Sequence, residues 1–338
     1  MVDTFGESDL DSHQPSTFQL STNLGAIAKW VFGIPPRETS FETRRFRGGA
    51  GGARERIERI GSTFVEGYNS ALLDHRRDQL VPKLDQIDAD FRGFAYEGAA
   101  MGLALLDRLT PWRSHRVRDF LSGAGAPHAY MVHVAIGWVA ARWPGKISKV
   151  MEPLDPLLRW LVLDGYGFHE GFFHWPQSVV GHLVPERLEG YERRAFDQGL
   201  GRSLWFVDGA DVSLLLQTLG AFPALRHGDL WSGIGLACVY AGEISDHELK
   251  SLREGAGGFL PQLAQGAAFA AKARHRAGNL TPYHDRACAA LCGMSAVQAA
   301  LVTDAALENL PGTQLEPAFE IWRRRIQDKF AQGKELKR

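Results

Sequence analysis

Cysteine is scarce in this sequence, and neither sign of charge is in excess. The 338 residues include only three cysteines, and 38 Lys and Arg balance 39 Asp and Glu to a formal net charge of −1. Three thiols exclude a disulfide framework, and a chain of this length buries enough apolar surface without one, so we expect reduced core thiols. A net charge near zero provides no long-range attraction for nucleic acid, which we exclude as a partner.

From the sequence we expect neither a secretory leader nor a membrane span. Its first residues are acidic and polar rather than basic and then apolar, which predicts a cytoplasmic protein. The longest stretch without formal charge contains a proline and two histidines, and it predicts a buried or interfacial helix rather than a span. We expect three parts in the chain: a disordered tail over residues 1–20, one helical domain over 21–325 and a polar tail over 326–338.

Sustained strand-type alternation is missing, and so are the signatures of several enzyme classes. Apolar segments of helical length alternate with breaks at proline, glycine and aspartate. This pattern predicts an all-α protein, a single large helical domain of antiparallel helix pairs with short connections. The sequence has no nucleophile elbow, P-loop, dinucleotide fingerprint or aspartate-rich prenyl-diphosphate motif, and it therefore names no cofactor.

A short pattern recurs along the chain, in which an acid or amide is commonly followed by glycine and an apolar run. The seven glycines of this pattern are 28 to 39 residues apart: Gly67, Gly98, Gly137, Gly171, Gly199, Gly233 and Gly266. Such a period is that of an αα-hairpin repeat, although uneven spacing leaves a chance likeness of Ala- and Gly-rich helices as the alternative. Real repetition predicts glycines at helix contacts, with four side chains approaching one cavity: Glu97, Glu170, Gln198 and Gln265.

The densest polar cluster lies in the segment LDGYGFHEGFFHWP. His169 and His174 are five residues apart, about 140° round a helix, so a metal bound by both from one helix is disfavoured and we predict no metal site. The alternative for each imidazole is a hydrogen bond to a buried carbonyl or carboxylate. Glu97 interrupts an apolar run, and it is either an ion-pair partner of Arg202 or Lys272 or a site acid with a raised pKa.

These residues define two sets of candidates. The candidate acid–base or ligating groups are Glu97, His169, Glu170, His174 and Asp197. Aromatic side chains would form a pocket for a long, flat, apolar ligand: Tyr96, Phe168, Phe172, Phe173, Trp175, Trp205, Phe206 and Trp231. Further ligand contacts are expected from Tyr166, Gln198 and Gln265. Most of the aromatic residues would serve equally well as core.

Several long segments carry a family resemblance, among them GFAYEGAAMGLALLDRLTPW, LDGYGFHEGFFHW and RAFDQGLGRSLWFVDGAD. Together they resemble the UnbL-type proteins encoded beside enediyne polyketide synthases, and the resemblance extends from about Phe32 to Thr303. It implies a role with the linear polyene that becomes the enediyne core, and as partners other proteins of that gene cassette, including a membrane protein. The family is classed as of unknown function, so no catalytic residue is carried over. The oligomeric state stays open, a homo-oligomer included.

Three functions are compatible with the sequence. The first is an enzyme that tailors or cyclises the polyene in an apolar helical pocket. The second is a non-catalytic protein that binds and delivers the polyene, and the third is a helical scaffold for other cassette proteins. An enzyme is favoured because buried ionisable side chains are costly.

Overall fold

The computed structural model describes residues 17–113, 115–311 and 316–335, in which there are seventeen α-helices and no strand. The helices are α1 Thr17–Phe32, α2 Phe41–Arg44, α3 Gly52–Leu73, α4 Arg77–Asp85, α5 Ala89–Leu109, α6 Arg116–Leu121, α7 Ala129–Arg142, α8 Ile147–Met151, α9 Leu161–Phe173, α10 Tyr191–Val207, α11 Val212–Gly220, α12 His227–Ala241, α13 Asp246–Ala256, α14 Leu260–Arg276, α15 Pro282–Cys292, α16 Ala296–Ala305 and α17 Ala318–Glu335. The predicted single, all-α domain is confirmed. Most of the predicted N-terminal tail lies outside the described residues, and α17 extends across the predicted boundary at residue 325.

Seven long helices form a row in chain order, each packed on the next: α3, α5, α7, α9, α10, α12 and α14. Neighbours in the row are parallel, because their contacts keep a nearly constant offset along the chain. Between α9 and α10 that offset is 34 residues in the pairs Asp164–Gln198, Phe168–Arg202 and Phe172–Phe206. Shorter helices such as α11 and α13 make the return connections, so each repeat is one long helix and its return segment.

Glycines bring the parallel helices into backbone contact. A Cβ atom added to Gly199 would overlap the carbonyl oxygen of Asp164, and one added to Gly167 would overlap that of Phe196. The same reciprocal arrangement occurs in five helix pairs, at Gly67 and Gly98, Gly137 and Gly165, Gly167 and Gly199, Gly201 and Gly233, and Gly235 and Gly266. The prediction that the recurring glycines lie at helix contacts is confirmed.

The glycines also set the register of the repeat. In α9, α10 and α12 two glycines stand two residues apart, the first against the preceding helix of the row and the second against the following one. Two residues are about 200° round a helix, so these glycines lie on opposite faces. The first glycines are Gly165, Gly199 and Gly233, at intervals of 34 residues. Choosing Gly171 as the repeat member was therefore wrong, since a Cβ there would meet the Ser203 side chain rather than a backbone carbonyl.

The row is curved, so that helices distant in the chain share one interior. Arg274 of α14 donates from Nη1 to the Asp90 carbonyl oxygen of α5 at 2.7 Å. The Phe94 ring of α5 packs edge-on against Tyr240 of α12, with 5.1 Å between the ring centres. Side chains on the concave face of α3, α5, α7, α9 and α10 can thus contribute to a common site.

Among the described residues, no single helix has the length and apolar character needed to cross a bilayer. One pair, Pro282–Cys292 with Ala296–Ala305, meets the length and composition test only when its members are taken together, and the pair is bent by 60°. The three cysteines are free thiols, of which Cys238 and Cys288 are buried.

We predict that Gly233→Ala destabilises the protein, because the new methyl group would overlap the Gln198 carbonyl oxygen of α10. Overpacking of this kind typically costs about 1–3 kcal/mol in the free energy of unfolding, which urea unfolding would measure. Gly228→Ala in the same helix is the matched control, since a Cβ there meets only Gln262 Cγ at 3.8 Å. Equal stability of the two variants would contradict the packing role of Gly233.

Candidate functional site

A narrow apolar cavity lies on the concave side of the helix row. Its volume, counted as the space open to the centres of water molecules, is about 40 Å³, room for only a few waters. Aromatic rings form most of the wall: Phe64, Phe94, Trp138, Phe168, Phe172, Phe173 and Phe206. The polar side chains that reach the wall are those of Thr39, Glu97 and Arg202.

Glu97 places a carboxyl group in this apolar environment. Its side chain belongs to α5, and the residue is 3% exposed. Burial raises the pKa of Glu97 from 4.5 to about 7, while the nearby Arg202 charge acts in the opposite direction and Asp164 adds to the rise. At neutral pH the carboxyl is therefore present in both protonation states, which is the condition for a group that accepts and returns a proton.

Arg202, which also lines the cavity, binds a second carboxyl group, that of Asp164. Its Nη1 atom donates a hydrogen bond to Asp164 Oδ1, and its guanidinium lies 5.0 Å from the centre of the Phe168 ring. The other cation considered for Glu97, Lys272, instead pairs with Asp304 at 2.6 Å. Among the described residues, Glu97 is thus not within ion-pair distance of either cation, and the alternative that agrees with the structure is an acid with a raised pKa.

Helix packing explains why these groups face the cavity. Glu97 precedes Gly98, which contacts α3, and Arg202 follows Gly201, which contacts α12. One residue along an α-helix is about 100° round its axis. Both side chains therefore lie beside a backbone crossing, on the concave face of the row, rather than within the crossing itself.

An N-terminal segment, residues 33–47, closes the cavity through Ile34 and Thr39. Asn69 of α3 holds Ile34 at both backbone groups: its Oδ1 accepts from Ile34 N at 3.0 Å, and its Nδ2 donates to Ile34 O at 2.8 Å. Thr39 packs against Gly61, where an added Cβ would lie 2.5 Å from Thr39 Cβ. The far end of the segment is held separately, because Arg47 N donates to the Val207 carbonyl oxygen at 2.7 Å and the Arg47 guanidinium pairs with Asp208.

Four polar side chains form a hydrogen-bonded chain behind Phe173. Arg142 Nε donates to His169 Nε2 at 2.9 Å, His169 Nδ1 is 3.0 Å from Glu170 Oε1, and Glu170 Oε2 is 3.1 Å from His174 Nδ1. The His169 ring is buried against Phe173, with 5.0 Å between ring centres, whereas the His174 side chain is half exposed. The chain thus leads from solvent to the back of the cavity wall.

His169 and His174 come together although their five-residue spacing puts them about 140° apart round a helix. Helix α9 ends at Phe173, so His174 leaves the helical path, and the potential ligand atoms of His169, Glu170 and His174 lie within 4.8 Å of one another. A guanidinium can only donate, so Arg142 occupies the lone pair of His169 Nε2 and the ring hydrogen belongs on Nδ1. Burial lowers the pKa of His169 and keeps it neutral. Neither ring nitrogen then offers a free lone pair, and the set fits a hydrogen-bond chain better than a metal site.

Some of the predicted residues meet at the cavity. Glu97 and Phe172 line it, and so do Phe168, Phe173 and Phe206 from the predicted aromatic set. His169, Glu170 and His174 stand behind the wall, as described above. Trp175 is nearby as well, because its Nε1 donates to the Arg44 carbonyl oxygen at 3.0 Å and the Arg44 guanidinium covers Phe173.

Other predicted residues are part of the packing between helices. Tyr96 Oη donates to Asp85 Oδ1 at 2.8 Å, and Tyr166 Oη accepts from Arg187 Nε at 3.0 Å. Neither tyrosine is among the residues that line the cavity. The remaining two predicted aromatic residues are enclosed in the core: Trp205 and Trp231.

Asp197 forms an ion pair away from the cavity. Its carboxylate accepts from Arg226 Nε at 2.9 Å and from Arg226 Nη2 at 2.5 Å, and the same arginine donates to the His182 carbonyl oxygen. Burial raises the pKa of Asp197, and the Arg226 pairing opposes that rise. The contact joins α10 to the segment before α12, which is a structural role.

Gln198 and Gln265 likewise do not reach the cavity. With Asp164 and Ser232 they form a buried polar row across α9, α10, α12 and α14. Gln198 Nε2 donates to Asp164 Oδ2 at 2.7 Å, and Ser232 Oγ donates toward Gln198 Oε1 and Gln265 Oε1 at 3.2 and 2.8 Å. The expectation that Glu170, Gln198 and Gln265 share a cavity with Glu97 was wrong, because Glu170 bonds to His169 and His174, and the two amides are linked through Ser232.

Sequence reasoning missed several residues of the site, among them the wall residues Thr39, Phe64 and Phe94. Trp138 was not selected, although it follows Gly137, and Arg142 was not connected with His169. Asp164 was noticed in the polar cluster but not chosen. The signal for Asp164 was its place immediately before Gly165, the register position that Glu97 and Gln198 also occupy.

We predict that Glu97→Gln raises the free energy of unfolding relative to the wild type by more at pH 8 than at pH 4. A carboxyl whose pKa is higher in the folded chain takes up a proton on folding, so the wild-type free energy of unfolding falls as pH rises from about 4.5 and levels off above about 7. The glutamine variant lacks this loss, which amounts to up to about 3 kcal/mol. Urea unfolding at both pH values would measure it, and an equal difference between variant and wild type at pH 4 and pH 8 would refute it.

Comparison with known proteins places the chain in a family but assigns it no activity. No curated protein and no solved structure matches it. One family model, described as "Protein of unknown function (DUF1702)", matches residues 23–330, which include every residue of the cavity wall. The chain therefore belongs to the DUF1702 family of proteins of unknown function.

Proposed function

We propose that this protein acts on a linear conjugated polyene during enediyne biosynthesis and that Glu97 moves a proton on that ligand. One observation carries the proposal: the Glu97 carboxyl and the Arg202 guanidinium line the same cavity, which is walled by seven aromatic rings. The resemblance of the glycine-containing segments to UnbL-type proteins supports the choice of ligand and pathway.

The cavity wall matches the chemistry of a conjugated chain. Flat apolar ligands pack well on aromatic rings, and polar groups in such a pocket serve mainly to orient the ligand. Here Phe168, Phe172 and Phe206 form a continuous cluster, with 5.0 to 6.2 Å between ring centres. Glu97 and Arg202 supply polar groups at one place on this wall.

A proton shift fits the pair of polar groups without any added oxidant or reductant. Glu97, as the carboxylate, removes a proton from the saturated carbon next to a series of double bonds conjugated with a carbonyl group, and the C–H electron pair moves through these double bonds to the carbonyl oxygen. Arg202 Nη1 binds Asp164, and the other N–H groups of the guanidinium donate to that oxygen as negative charge develops on it. Glu97 then returns the proton to another carbon of the chain, so that the double bonds change position.

Ligand entry requires the N-terminal segment to move, because about 40 Å³ is too small for a polyene. Opening would separate Ile34 and Thr39 from the helices and expose the aromatic wall. The same closure would protect a reactive, poorly soluble chain from water. That property also suits the second candidate function, a non-catalytic carrier of the polyene.

The proposed reaction is tested by incubating the purified protein with the polyene in D₂O. We expect the absorption spectrum of the polyene to change and deuterium to enter the chain, as mass spectrometry would show. Glu97→Gln should still bind the polyene but convert it at least about a hundred-fold more slowly, since it cannot exchange the proton. Glu170→Gln is the control, because Glu170 lies behind the wall rather than in it.

The outcomes separate the candidate functions. Tight binding to the wild type with no spectral change and no deuterium would favour the carrier. Conversion by Glu97→Gln at the wild-type rate would remove Glu97 from the mechanism. No binding at all would refute both polyene-based functions.

We also predict that Asn69→Ala accelerates polyene binding. The substitution removes two hydrogen bonds that hold Ile34, each worth about 1 kcal/mol, so opening and association should become up to about thirty-fold faster. Stopped-flow fluorescence would follow the cavity-wall residue Trp138. Asn279→Ala removes a comparable bond to the Ala89 carbonyl oxygen away from the cavity and should leave the rate unchanged. An unchanged rate in Asn69→Ala would exclude entry through this segment.

A further inference from the structure

We propose that Asp164 is a positioning residue of this site, which binds Arg202 and thereby leaves the proton on Glu97. This role rests on the proposed function, in which Glu97 moves a proton. Asp164 accepts buried hydrogen bonds from Arg202 and Gln198, while Glu97 lines the same cavity as Arg202 without a hydrogen bond to it. The test of this role needs no polyene, so the two proposals can fail separately.

Asp164 is the carboxyl that carries the charge. Its Oδ1 accepts from Arg202 Nη1, and its Oδ2 accepts from Gln198 Nε2 at 2.7 Å. A guanidinium and an amide NH₂ group can only donate, so both oxygens act as acceptors and neither needs a proton. Asp164 is 1% exposed, and an ionised carboxylate so deeply buried requires donors of this kind.

The rest of the polar row determines how Gln198 is oriented. Arg323 Nε donates to Gln265 Oε1 at 3.2 Å, which identifies that atom as the acceptor oxygen of its amide. The Ser232 hydroxyl donates between Gln265 Oε1 and Gln198 Oε1, at 2.8 and 3.2 Å. Gln198 therefore presents its oxygen to Ser232 and its NH₂ group to Asp164. In the reverse orientation it would place an oxygen against the Asp164 carboxylate.

The pairing of Arg202 with Asp164 sets the net charge that acts on Glu97. The charged or titratable groups that act on Glu97 are Arg202 of α10, Asp164 of α9 and Tyr240 of α12. From the other elements around the cavity, α3, α7 and the N-terminal segment, the wall receives Phe64, Trp138 and Thr39, which are not charged. One positive and one negative charge on the pair leave little net attraction for a second carboxylate, so the apolar surroundings keep the pKa of Glu97 raised.

The test is to remove the charge of Asp164 with Asp164→Asn. The uncompensated Arg202 should then pair with Glu97, and the midpoint of Glu97 titration should fall by about one pH unit or more. Nuclear magnetic resonance of the full chain labelled with ¹³C at glutamate carboxyls would follow this midpoint, with the signal assigned from its loss in Glu97→Gln.

Asp197→Asn is the matched control for that variant. It removes a neighbouring buried aspartate that is also paired with an arginine, Arg226, but away from the cavity. It should leave the midpoint of Glu97 unchanged. A second variant, Asp164→Asn with Arg202→Gln, removes both charges and should return the midpoint to at least the wild-type value. This variant also guards against misfolding, because removal of both partners avoids an unpaired buried charge.

Each outcome is decisive. A lower midpoint in Asp164→Asn, recovered in the double variant and absent in Asp197→Asn, supports the positioning role. An unchanged midpoint in Asp164→Asn, or an equal fall in Asp197→Asn, overturns it. If Asp164→Asn does not fold, the double variant decides. A Glu97 midpoint below the wild-type value overturns the positioning role, and a midpoint equal to or above that value supports it. A wild-type protein that fails to convert polyene would refute the proposed function and leave these titrations unaffected.

Discussion

The backbone contact between successive parallel helices is the constraint on which the rest of the structure depends. Where Gly199 meets the Asp164 carbonyl and Gly233 meets the Gln198 carbonyl, no side chain can be accommodated. Glycine costs a helix about 1 kcal/mol relative to alanine, and close approach offsets this through dispersion and Cα–H···O contacts. Since the middle helices have a glycine on each of two opposite faces, the contact recurs from helix to helix and produces a row rather than a bundle.

The same contact decides which polar side chains meet. Each glycine at a helix contact is preceded by a residue whose side chain lies at the edge of that contact. The side chain of the equivalent residue in the neighbouring helix lies there too. Asp164, Gln198 and Ser232 meet in this way, and each is nearly or fully buried. Buried polar groups are stable only when they are hydrogen-bonded, and the repeat supplies each with a partner one helix away. The charge of Asp164 is accommodated because Arg202, three residues beyond Gly199, reaches it as well.

The helical fold and the glycine contacts could be predicted because they depend on the composition and spacing of residues within each segment of the chain. The register was harder, because the Glu-Gly of HEGFF resembles other segments, whereas the informative signal was the paired glycines of GYG, GLG and GIG. The meeting of His169 with His174 depended on α9 ending at Phe173, which angular spacing cannot reveal. Partners such as Arg226 for Asp197 are 29 residues away, and only the assembled helices bring them together. Glu97 was identifiable because a carboxyl in a long apolar run is costly wherever the helix packs.

The repeat also explains why the cavity lies beside Glu97. The position before the first glycine, or its alanine equivalent, is Glu97 in α5, Asp164 in α9 and Gln198 in α10, but in α7 it is Val134, which precedes Ala135. The polar row is therefore interrupted by one apolar helix between α5 and α9. Asp164 has an amide donor from the next helix, whereas Glu97 has Val134 at the equivalent place and lies among aromatic rings with Arg202 nearby. Glu97 occupies the same repeat position as the members of the buried polar row, but Val134 separates it from their amide groups. Without an amide donor to stabilise its charged form, Glu97 has a raised pKa. The site thus lies where the repeat has an apolar residue, Val134, in place of a polar one.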